Sequence, residues 1–512
     1  MSEVAVDDGS GEQSAAAAQS DPRGNEQLLD VGRAARRGGV WAVISYVFTK
    51  AAGFASSIVL ARLLLPQDYG LIGMTSTVLG AAQVIGNLGI GSALVHKRGN
   101  VDEHANTMWW LDMLLGLFLF SVANLLSPVA VSYYREPKLR WLILAASTNF
   151  LINPIGGAMG VLLRRDLQFK AVQRAAIVMT CVGSVLSIIF ALCGARVWSF
   201  VYPYIIANLV QVAILWRLCP FRPRLKVKWG LARELVSFGW KLSLSSVFLY
   251  INENVGYILL GSLMGGTKLG LYVFACNLGT WIVQNVWVPI SSIVFPTFSA
   301  LQEEPEHARR MFMKLLGLVA FIGLPIVSMQ WSLAPLYIGS IYSTKWLDSV
   351  TAFRFIALYG MVRAVCSPTL SLIAAMGRPD VNLKLNAAAC PMLVSAVFIG
   401  SRYGINGVAA ATALVHGLFT WLWLVVPFRM LKWSIGDAFK AIVPAAVCSA
   451  LAGMVVSIVY KLAGGDVGSV VLLLELVLLG VLAYVGFGMM LFRGAFSDMV
   501  GTLIRAVKEA RG

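Results

Sequence analysis

Long apolar segments separated by short polar turns fill the chain from Gly39 to Arg493. A helix needs about 20 apolar residues to cross about 30 Å of hydrocarbon, and these segments have that length with few acidic or basic residues inside them. We predict about fourteen transmembrane helices, near residues 39–62, 69–95, 107–130, 139–163, 174–194, 197–219, 235–263, 269–298, 311–336, 351–376, 384–401, 405–428, 438–460 and 467–492.

The composition agrees with this pattern and excludes a water-soluble protein. Hydrophobic residues make up 58% of the chain, charged residues 13%, and the mean hydropathy is +0.75. Soluble domains are about half apolar and about a quarter charged. The turns between segments are short, so there is no room for an extramembrane catalytic domain. The predicted fold class is an all-α polytopic membrane protein.

The net charge of +16 reflects where the basic residues lie rather than a nucleic-acid surface. If the N-terminus is cytoplasmic, the tail and every second turn hold about 28 of the 41 Lys and Arg residues. This asymmetry predicts that both termini lie in the cytoplasm. We expect the densest basic cluster, between the sixth and seventh segments, to set this orientation and to contact anionic inner-leaflet lipids.

A weak internal repeat divides the chain. At an offset near 200, Tyr69-Gly70-Leu71 is similar to Leu269-Gly270-Leu271. We predict two six-helix lobes related by a pseudo-two-fold axis along the membrane normal, an arrangement that places transporter substrates near the midplane between the repeats. The predicted organisation is a disordered basic tail at 1–38, an N-lobe at 39–220, a basic linker at 221–234, a C-lobe at 235–430, two further helices at 431–492 and an amphipathic tail at 493–512.

Motifs for common enzyme chemistry are missing from the sequence. The seven cysteines and four histidines are dispersed, without metal-ligand spacing, and no phosphate-binding glycine loop or nucleophile elbow is present. We therefore expect no cofactor, no metal and no catalytic residue.

Three stretches in the first 120 residues resemble a known family: LARLLLPQDYGL at 60–71, IGNLGIGSALV at 85–95 and HANTMWWLDMLLG at 104–116. They are similar to the opening of the Wzx-type polysaccharide-transport flippases of the multidrug, oligosaccharidyl-lipid and polysaccharide exporter superfamily. The resemblance implies a flippase that moves undecaprenyl-pyrophosphate-linked oligosaccharide repeat units for exopolysaccharide or lipopolysaccharide biosynthesis. It also implies a location in the bacterial inner membrane, alternating access and contacts with polysaccharide polymerase or export machinery.

Cations inside the predicted spans are the candidate ligands for the pyrophosphate. A charge in the centre of a lone helix costs roughly 2.5 to 3.5 kcal/mol, so such residues usually face an interior cavity. Lys50 and Arg363 are central in their spans, whereas Lys241 and Arg354 lie nearer an interface and can reach the headgroups instead. Arg354 and Arg363 are half a turn out of phase, so a straight helix cannot direct both into one cavity.

Two intramembrane carboxylates are candidates for coupling transport to H+ or Na+. Glu253 either binds a coupling cation, pairs with Lys50, or forms a static ion pair between the lobes. Asp112, beside Trp109 and Trp110, is either a coupling residue or a solvated structural one. The membrane potential is a third source of driving force.

Amides at helical spacing complete the predicted cavity lining. They are Gln83, Asn87, Asn252 and Gln284, which either bind sugar hydroxyls or hold helices together. Two other functions remain open at this stage. A multidrug exporter of the same superfamily would share the fold, and a membrane-embedded polysaccharide polymerase or ligase would need a longer outer loop than any predicted here.

Overall fold

The computed structural model describes residues 45–86, 101–166, 168–224, 229–281, 298, 305–376, 378–465 and 467–501, with the backbone alone for a few stretches such as 101–104 and 229–245. Every regular element in this part of the chain is helical. The α-helices are α1 (45–63), α2 (Pro66–Gly86), α3 (Val101–Tyr134), α4 (Leu139–Ser147), α5 (Asn149–Arg165), α6 (Phe169–Leu192), α7 (Trp198–Leu218), α8 (Trp229–Gly279), α9 (Pro305–Tyr337), α10 (Val350–Ala375), α11 (Pro379–Ser401), α12 (Gly404–Met430), α13 (Ile435–Leu462), α14 (Val470–Leu491) and α15 (493–501).

These helices follow the predicted apolar segments closely. Within the described residues, ten helical stretches are long and apolar enough to cross a membrane. Helices α1, α2 and α10 fall on three more predicted segments. The helical membrane fold is therefore confirmed, whereas the count of fourteen spans and the lobe boundaries stay predictions.

Two predicted boundaries differ from the structure. The fourth segment consists of α4 and α5, which meet at Thr148. The seventh and eighth segments are joined in α8, which changes direction at Gly265 with φ 77° and ψ 177°. Only glycine adopts this conformation readily, so no polar turn was needed to separate the two segments. Helix α8 also begins at Trp229, inside the predicted basic linker.

The N-terminal half (α1 to α7) meets the C-terminal half (α8 to α12) where α2 crosses the second part of α8. A Cβ atom on Gly70 would collide with the backbone of Gly266, and one on Gly270 would collide with the carbonyl of Pro66 and lie 2.9 Å from the Gly70 nitrogen. Two residues that the internal repeat predicts to be equivalent, Gly70 and Gly270, thus lie at one crossing. A two-fold relation between the halves requires such self-contacts near its axis.

The connection between α9 and α10 reaches back to the end of α1 and reinforces this contact. Arg62 donates to the carbonyls of Ser340 and Ile341, each at 2.7 Å. Lys345 Nζ donates to the carbonyls of Arg62 and Leu64 at 2.8 and 2.6 Å. The buried indole of Trp346 donates to Ala61 at 2.9 Å. The Lys345 and Trp346 bonds engage carbonyls at the end of α1, which would otherwise lack partners. We call the glycine crossing and these bonds the seal.

Helix α15 lies at the start of the predicted amphipathic tail. Phe496 on this helix is only 2% exposed and packs against Phe321 and Tyr484, with ring centroids 4.9 and 5.2 Å away. Phe496 thus contacts protein, whereas Val500 on the predicted apolar face is 41% exposed. The position of the tail on lipid stays a prediction. The rest of that tail and the whole predicted N-terminal tail lie outside the described residues.

The Gly270→Ala variant tests the helix crossing. The added methyl would meet backbone atoms that cannot rotate away, so we expect the variant to lose about 1 to 3 kcal/mol of stability and to melt at a lower temperature in detergent. Gly417→Ala on α12 is the matched control because no atom lies within 4 Å of its added Cβ. Equal melting temperatures for the two variants would contradict close packing at this crossing.

Candidate functional site

A charge pair lies between α8 and α10 in the C-terminal half. Arg363 Nη2 donates to Glu253 Oε1 at 2.5 Å, and its Nη1 donates to the Tyr359 hydroxyl at 2.9 Å. The two charged side chains are 37% and 39% exposed, so both reach an open space. Glu253 thus pairs with Arg363 in its own half, and the contact with Lys50 that the sequence left open is not formed.

This pair borders a cavity of about 270 Å³ enclosed by α8, α10, α11 and α12, which we call the charged cavity. Its polar lining residues are Ser246, Asn252, Glu253, Tyr359, Arg363, Asn382, Asn386, His416, Thr420 and Trp423. His416 is held in place because its Nδ1 lies 2.9 Å from the Thr412 carbonyl and its ring lies 4.4 Å from that of Tyr359.

Several buried polar atoms at the charged cavity have no protein partner. Asn252 Nδ2 donates to the Asn386 carbonyl at 3.0 Å, and Asn386 Nδ2 donates to the Asn382 carbonyl at 2.9 Å. Since each NH₂ group is used on a carbonyl, the orientation of both amides is fixed and their oxygens remain free. The Oδ1 atoms of Asn252, Asn382 and Asn386 and Nε1 of Trp423 are all buried and unpartnered. Unpaired buried polar atoms are rare in native proteins and indicate a missing ligand or water.

A different polar space lies in the N-terminal half. Two cavities of about 260 Å³ each, enclosed by α2, α3, α4, α5 and α7, share Gln83, Phe150 and Asn153 as lining residues. We call them together the amide cavity. Its other polar lining residues are Thr75, Ser76, Asp112, Asn149 and Tyr204. Asp112 therefore lines this cavity.

Lys50 lies on an exposed face of α1, with Nζ 5.4 Å from the centre of the Tyr46 ring. Phe54, one helical turn later, contacts Trp281 with ring centroids 5.4 Å apart. Phe54 and Trp281 line a cavity of about 420 Å³ among α1, α8, α9 and α14, whose walls are almost wholly apolar. We call it the apolar cavity. Lys50 forms no ion pair or hydrogen bond within the described residues.

Arg354, another predicted site residue, does not line these cavities. Arg354 turns toward α9, where Nε donates to the Trp331 carbonyl at 2.9 Å and the guanidinium lies 5.9 Å from the indole centre. This separation from Arg363 follows from their half-turn phase difference. The Lys241 side chain, Asn87 and Gln284 lie outside the described residues. Among the described residues no group of His, Cys, Asp or Glu is arranged to hold a metal ion.

Comparison with known proteins places this architecture. A family model described as polysaccharide biosynthesis protein matches residues 59–351, more than half of the chain. The chain belongs to this family. Lipopolysaccharide biosynthesis protein WzxC of Escherichia coli is 24% identical over 410 residues, which cover 79% of this chain and 82% of WzxC. Succinoglycan biosynthesis transport protein ExoT of Rhizobium meliloti is 23% identical over 344 residues, which cover 66% of this chain and 68% of ExoT.

Solved structures show that this member of the polysaccharide biosynthesis family has a transporter fold. The inward closed conformation of the lipid II flippase MurJ matches 89% of this chain and 99% of its own, with a TM-score of 0.70 and 14% identity. An inward-facing multidrug transporter of the MATE family matches 75% of this chain and 95% of its own, with a TM-score of 0.61 and 15% identity. The outward-facing conformation of a MATE family transporter gives a TM-score of 0.50.

The sequence did not predict several lining residues of this family member. In the charged cavity they are Tyr359, Asn382, Asn386, His416 and Trp423; in the amide cavity they are Asn149, Asn153 and Tyr204. Asn382 and Asn386 carried a usable signal because they are four residues apart and therefore share a helix face. Tyr359 and Tyr204 carried none, since tyrosine is common in apolar helices.

Substitutions of the ion pair test its contribution to stability. Arg363→Ala leaves Glu253 unpaired, and we expect a loss of about 1 to 3 kcal/mol, below the roughly 3 to 5 kcal/mol of a fully buried pair because both side chains are half-buried. Glu253→Gln in the Arg363→Ala background should recover part of that loss. Melting in detergent, with unfolding free energies from a reversible titration, measures both effects.

The control for this double-mutant comparison is Lys384→Ala. Lys384 forms a surface ion pair with Asp380 at 3.7 Å, and its side chain is 78% exposed. We expect that change to stay within about 0.5 kcal/mol. Strictly additive effects of the Arg363 and Glu253 substitutions would show that the pair is not coupled.

Proposed function

We propose that this protein is a flippase that carries undecaprenyl-pyrophosphate-linked oligosaccharides across the bacterial inner membrane by alternating access. The observation that carries the proposal is the position of Lys50 beside the apolar cavity. Lys50 and Phe54 are four residues apart and share a face of α1. One helix face therefore offers a cation next to a large apolar space. Within the described residues this cation has no ion-pair or hydrogen-bond partner.

Such a pair of surfaces suits an amphiphilic anion. The apolar cavity can accept a length of polyprenyl chain, while the ammonium of Lys50 faces the diphosphate to which the chain is joined. A membrane-embedded cation without a counter-ion is costly, and a bound anion removes that cost. An organic cation, the cargo class of the multidrug alternative, would be repelled by Lys50. The names of WzxC, ExoT and MurJ, which refer to polysaccharide biosynthesis, transport and lipid II flipping, support this substrate class.

We propose that the structure is the inward-facing state of the cycle. The predicted orientation places the N-terminus in the cytoplasm, so α1 runs outward and the seal lies at the outer face. The higher TM-scores of the inward closed and inward-facing transporters support the same state. Opening to the outside must then break the Arg62 and Lys345 hydrogen bonds to backbone carbonyls and separate α2 from α8.

We propose further that Na+ drives the cycle from the charged cavity. Glu253 and the unpartnered oxygens of Asn252, Asn382 and Asn386 supply oxygen ligands, which hard cations prefer. A proton needs one acceptor, whereas this cavity offers several. Na+ at Glu253 would weaken the hold of Glu253 on Arg363, and the released guanidinium would be free to bind the diphosphate. This exchange reconciles the pairing of Arg363 with its expected role as a phosphate ligand.

An export assay tests the proposed function. In cells that lack this gene, Lys50→Ala should reduce polymer export at least tenfold at normal protein level in the membrane, because the diphosphate loses a charge partner. Lys50→Arg should retain part of the activity, and Lys461→Ala, at an exposed helix end, should export normally. Lipid-linked repeat units should accumulate in the inner leaflet of the Lys50→Ala strain. Wild-type export by Lys50→Ala would refute the assignment.

Cation binding is tested separately on purified protein. We expect the melting temperature to rise in NaCl relative to KCl at equal ionic strength, since a ligand at about 100 times its Kd stabilises the folded state by about 2.7 kcal/mol. Glu253→Gln and Asn386→Ala should lose the Na+ effect. Gln211→Ala, an amide on α7 that lines neither the charged nor the amide cavity, should retain it. An identical response to NaCl and KCl, with stabilisation by acidification alone, would favour a proton and overturn the Na+ proposal.

A further inference from the structure

We infer that the amide cavity of the N-terminal half is the subsite for the oligosaccharide of the lipid-linked substrate, and that Asn153, Gln83 and Asp112 are its principal hydrogen-bonding residues. This inference rests on the proposed function. It goes further because it assigns a place to the sugars and separates that place from the diphosphate and the coupling ion.

Five polar side chains of the amide cavity converge from four helices and are unbonded within the described residues. Ser76 and Gln83 lie on α2, Asp112 on α3, Asn153 on α5 and Tyr204 on α7. None of their polar groups makes a hydrogen bond or ion pair within the described residues. Exposure of unpaired amide, hydroxyl and carboxyl groups to lipid is costly, so these groups must face water or a polar ligand.

The types of group match sugar hydroxyls. An amide both donates and accepts, a hydroxyl does the same, and an ionised carboxylate only accepts. A sugar ring presents several adjacent hydroxyls, each able to donate and accept. Phe150, Phe200 and Tyr204 add aromatic rings to the walls. Rings that are apolar on their faces can pack against the C–H face of a sugar while the amides bind its hydroxyls.

The charges favour the sugars over the diphosphate in this cavity. Its described lining residues include the carboxylate of Asp112 and no Lys, Arg or His. Asp112 can hydrogen-bond to uncharged sugar hydroxyls, and the described lining has no cation to attract a pyrophosphate. Lys50 lines no part of the amide cavity, and Arg363 belongs to the charged cavity. The substrate is thereby oriented, with its sugars toward α3 and α5 and its diphosphate toward α1.

The wall that carries Asn153 is rigidly held. The indoles of Trp109 on α3 and Trp216 on α7 both donate to the carbonyl of Ile155, at 3.2 and 2.9 Å. One turn before Asn153 on the same helix, Asn149 Oδ1 accepts a hydrogen bond from Asn208 Nδ2 at 2.6 Å. A fixed backbone with free side-chain amides is the arrangement expected of a preorganised recognition site.

Equilibrium binding to the nanodisc-embedded protein tests the inference with two probes. One is undecaprenyl pyrophosphate, and the other is the undecaprenyl-pyrophosphate-linked oligosaccharide isolated from cells that lack this transporter. The Kd of undecaprenyl pyrophosphate divided by the Kd of the linked oligosaccharide is a ratio that reports the sugar contribution alone. We expect Asn153→Ala and Gln83→Ala each to reduce that ratio about tenfold while leaving the Kd of undecaprenyl pyrophosphate unchanged. Lys50→Ala should weaken both probes equally and preserve the ratio.

Controls separate the outcomes. Gln83 and Asn153 are exposed and unbonded, so their truncation should leave the melting temperature unchanged, and Gln211→Ala should leave both Kd values unchanged. If the wild type binds neither probe, the proposed function itself fails. A wild type that binds both probes with a ratio near one, or variants that keep the wild-type ratio, would overturn the sugar subsite alone.

Asp112→Asn distinguishes a sugar acceptor from a coupling residue. Asparagine retains an acceptor oxygen, so we expect only a partial fall in the ratio and continued transport in proteoliposomes. Complete loss of transport with an unchanged ratio would assign Asp112 to ion coupling and overturn its part in the subsite. Ethidium binding that is abolished in Asp112→Asn, again with an unchanged ratio, would assign the cavity to organic cations and overturn the inference.

Discussion

The absence of water from hydrocarbon is the constraint on which this structure depends. Each backbone amide must be bonded within its own helix, and each polar side chain must find a partner or an internal space. The structure meets the first demand with helices throughout its described part, and the second with ion pairs, carbonyl contacts and cavities. Buried polar side-chain atoms without a hydrogen-bond partner are therefore informative, because they identify surfaces that need water or a ligand. The oxygens of Asn252, Asn382 and Asn386 belong to this set.

Rearrangement of such a structure is limited by how its halves are joined. At the seal, glycine brings α2 and α8 into backbone contact, and charged side chains bind carbonyls instead of carboxylates. Arg62 and Lys345 each bridge the halves with two hydrogen bonds to neutral backbone carbonyls. A contact of this kind can be strong in one state and still be released, since water satisfies the same groups once the helices separate.

The three cavities differ in the chemistry of their walls. The apolar cavity has almost no polar wall, the amide cavity has hydrogen-bonding groups without a cation in its described lining, and the charged cavity combines a carboxylate with neutral oxygens. One pocket could not combine all three linings, because an apolar wall that favours hydrocarbon leaves polar groups without hydrogen bonds.

The sequence by itself determined the membrane fold, since hydrophobic segments of spanning length specify helices whatever their neighbours are. It also identified Lys50, Glu253 and Arg363 as central, because position along a helix can be counted from its ends. The pairing of Glu253 with Arg363, the turn of Arg354 toward Trp331 and the grouping of Asn153 with Asp112 were decided only by the tertiary structure. Counting along one helix gives depth and phase, whereas the neighbour that a side chain meets depends on how that helix is rotated and packed against others, and spacing along the sequence does not encode this.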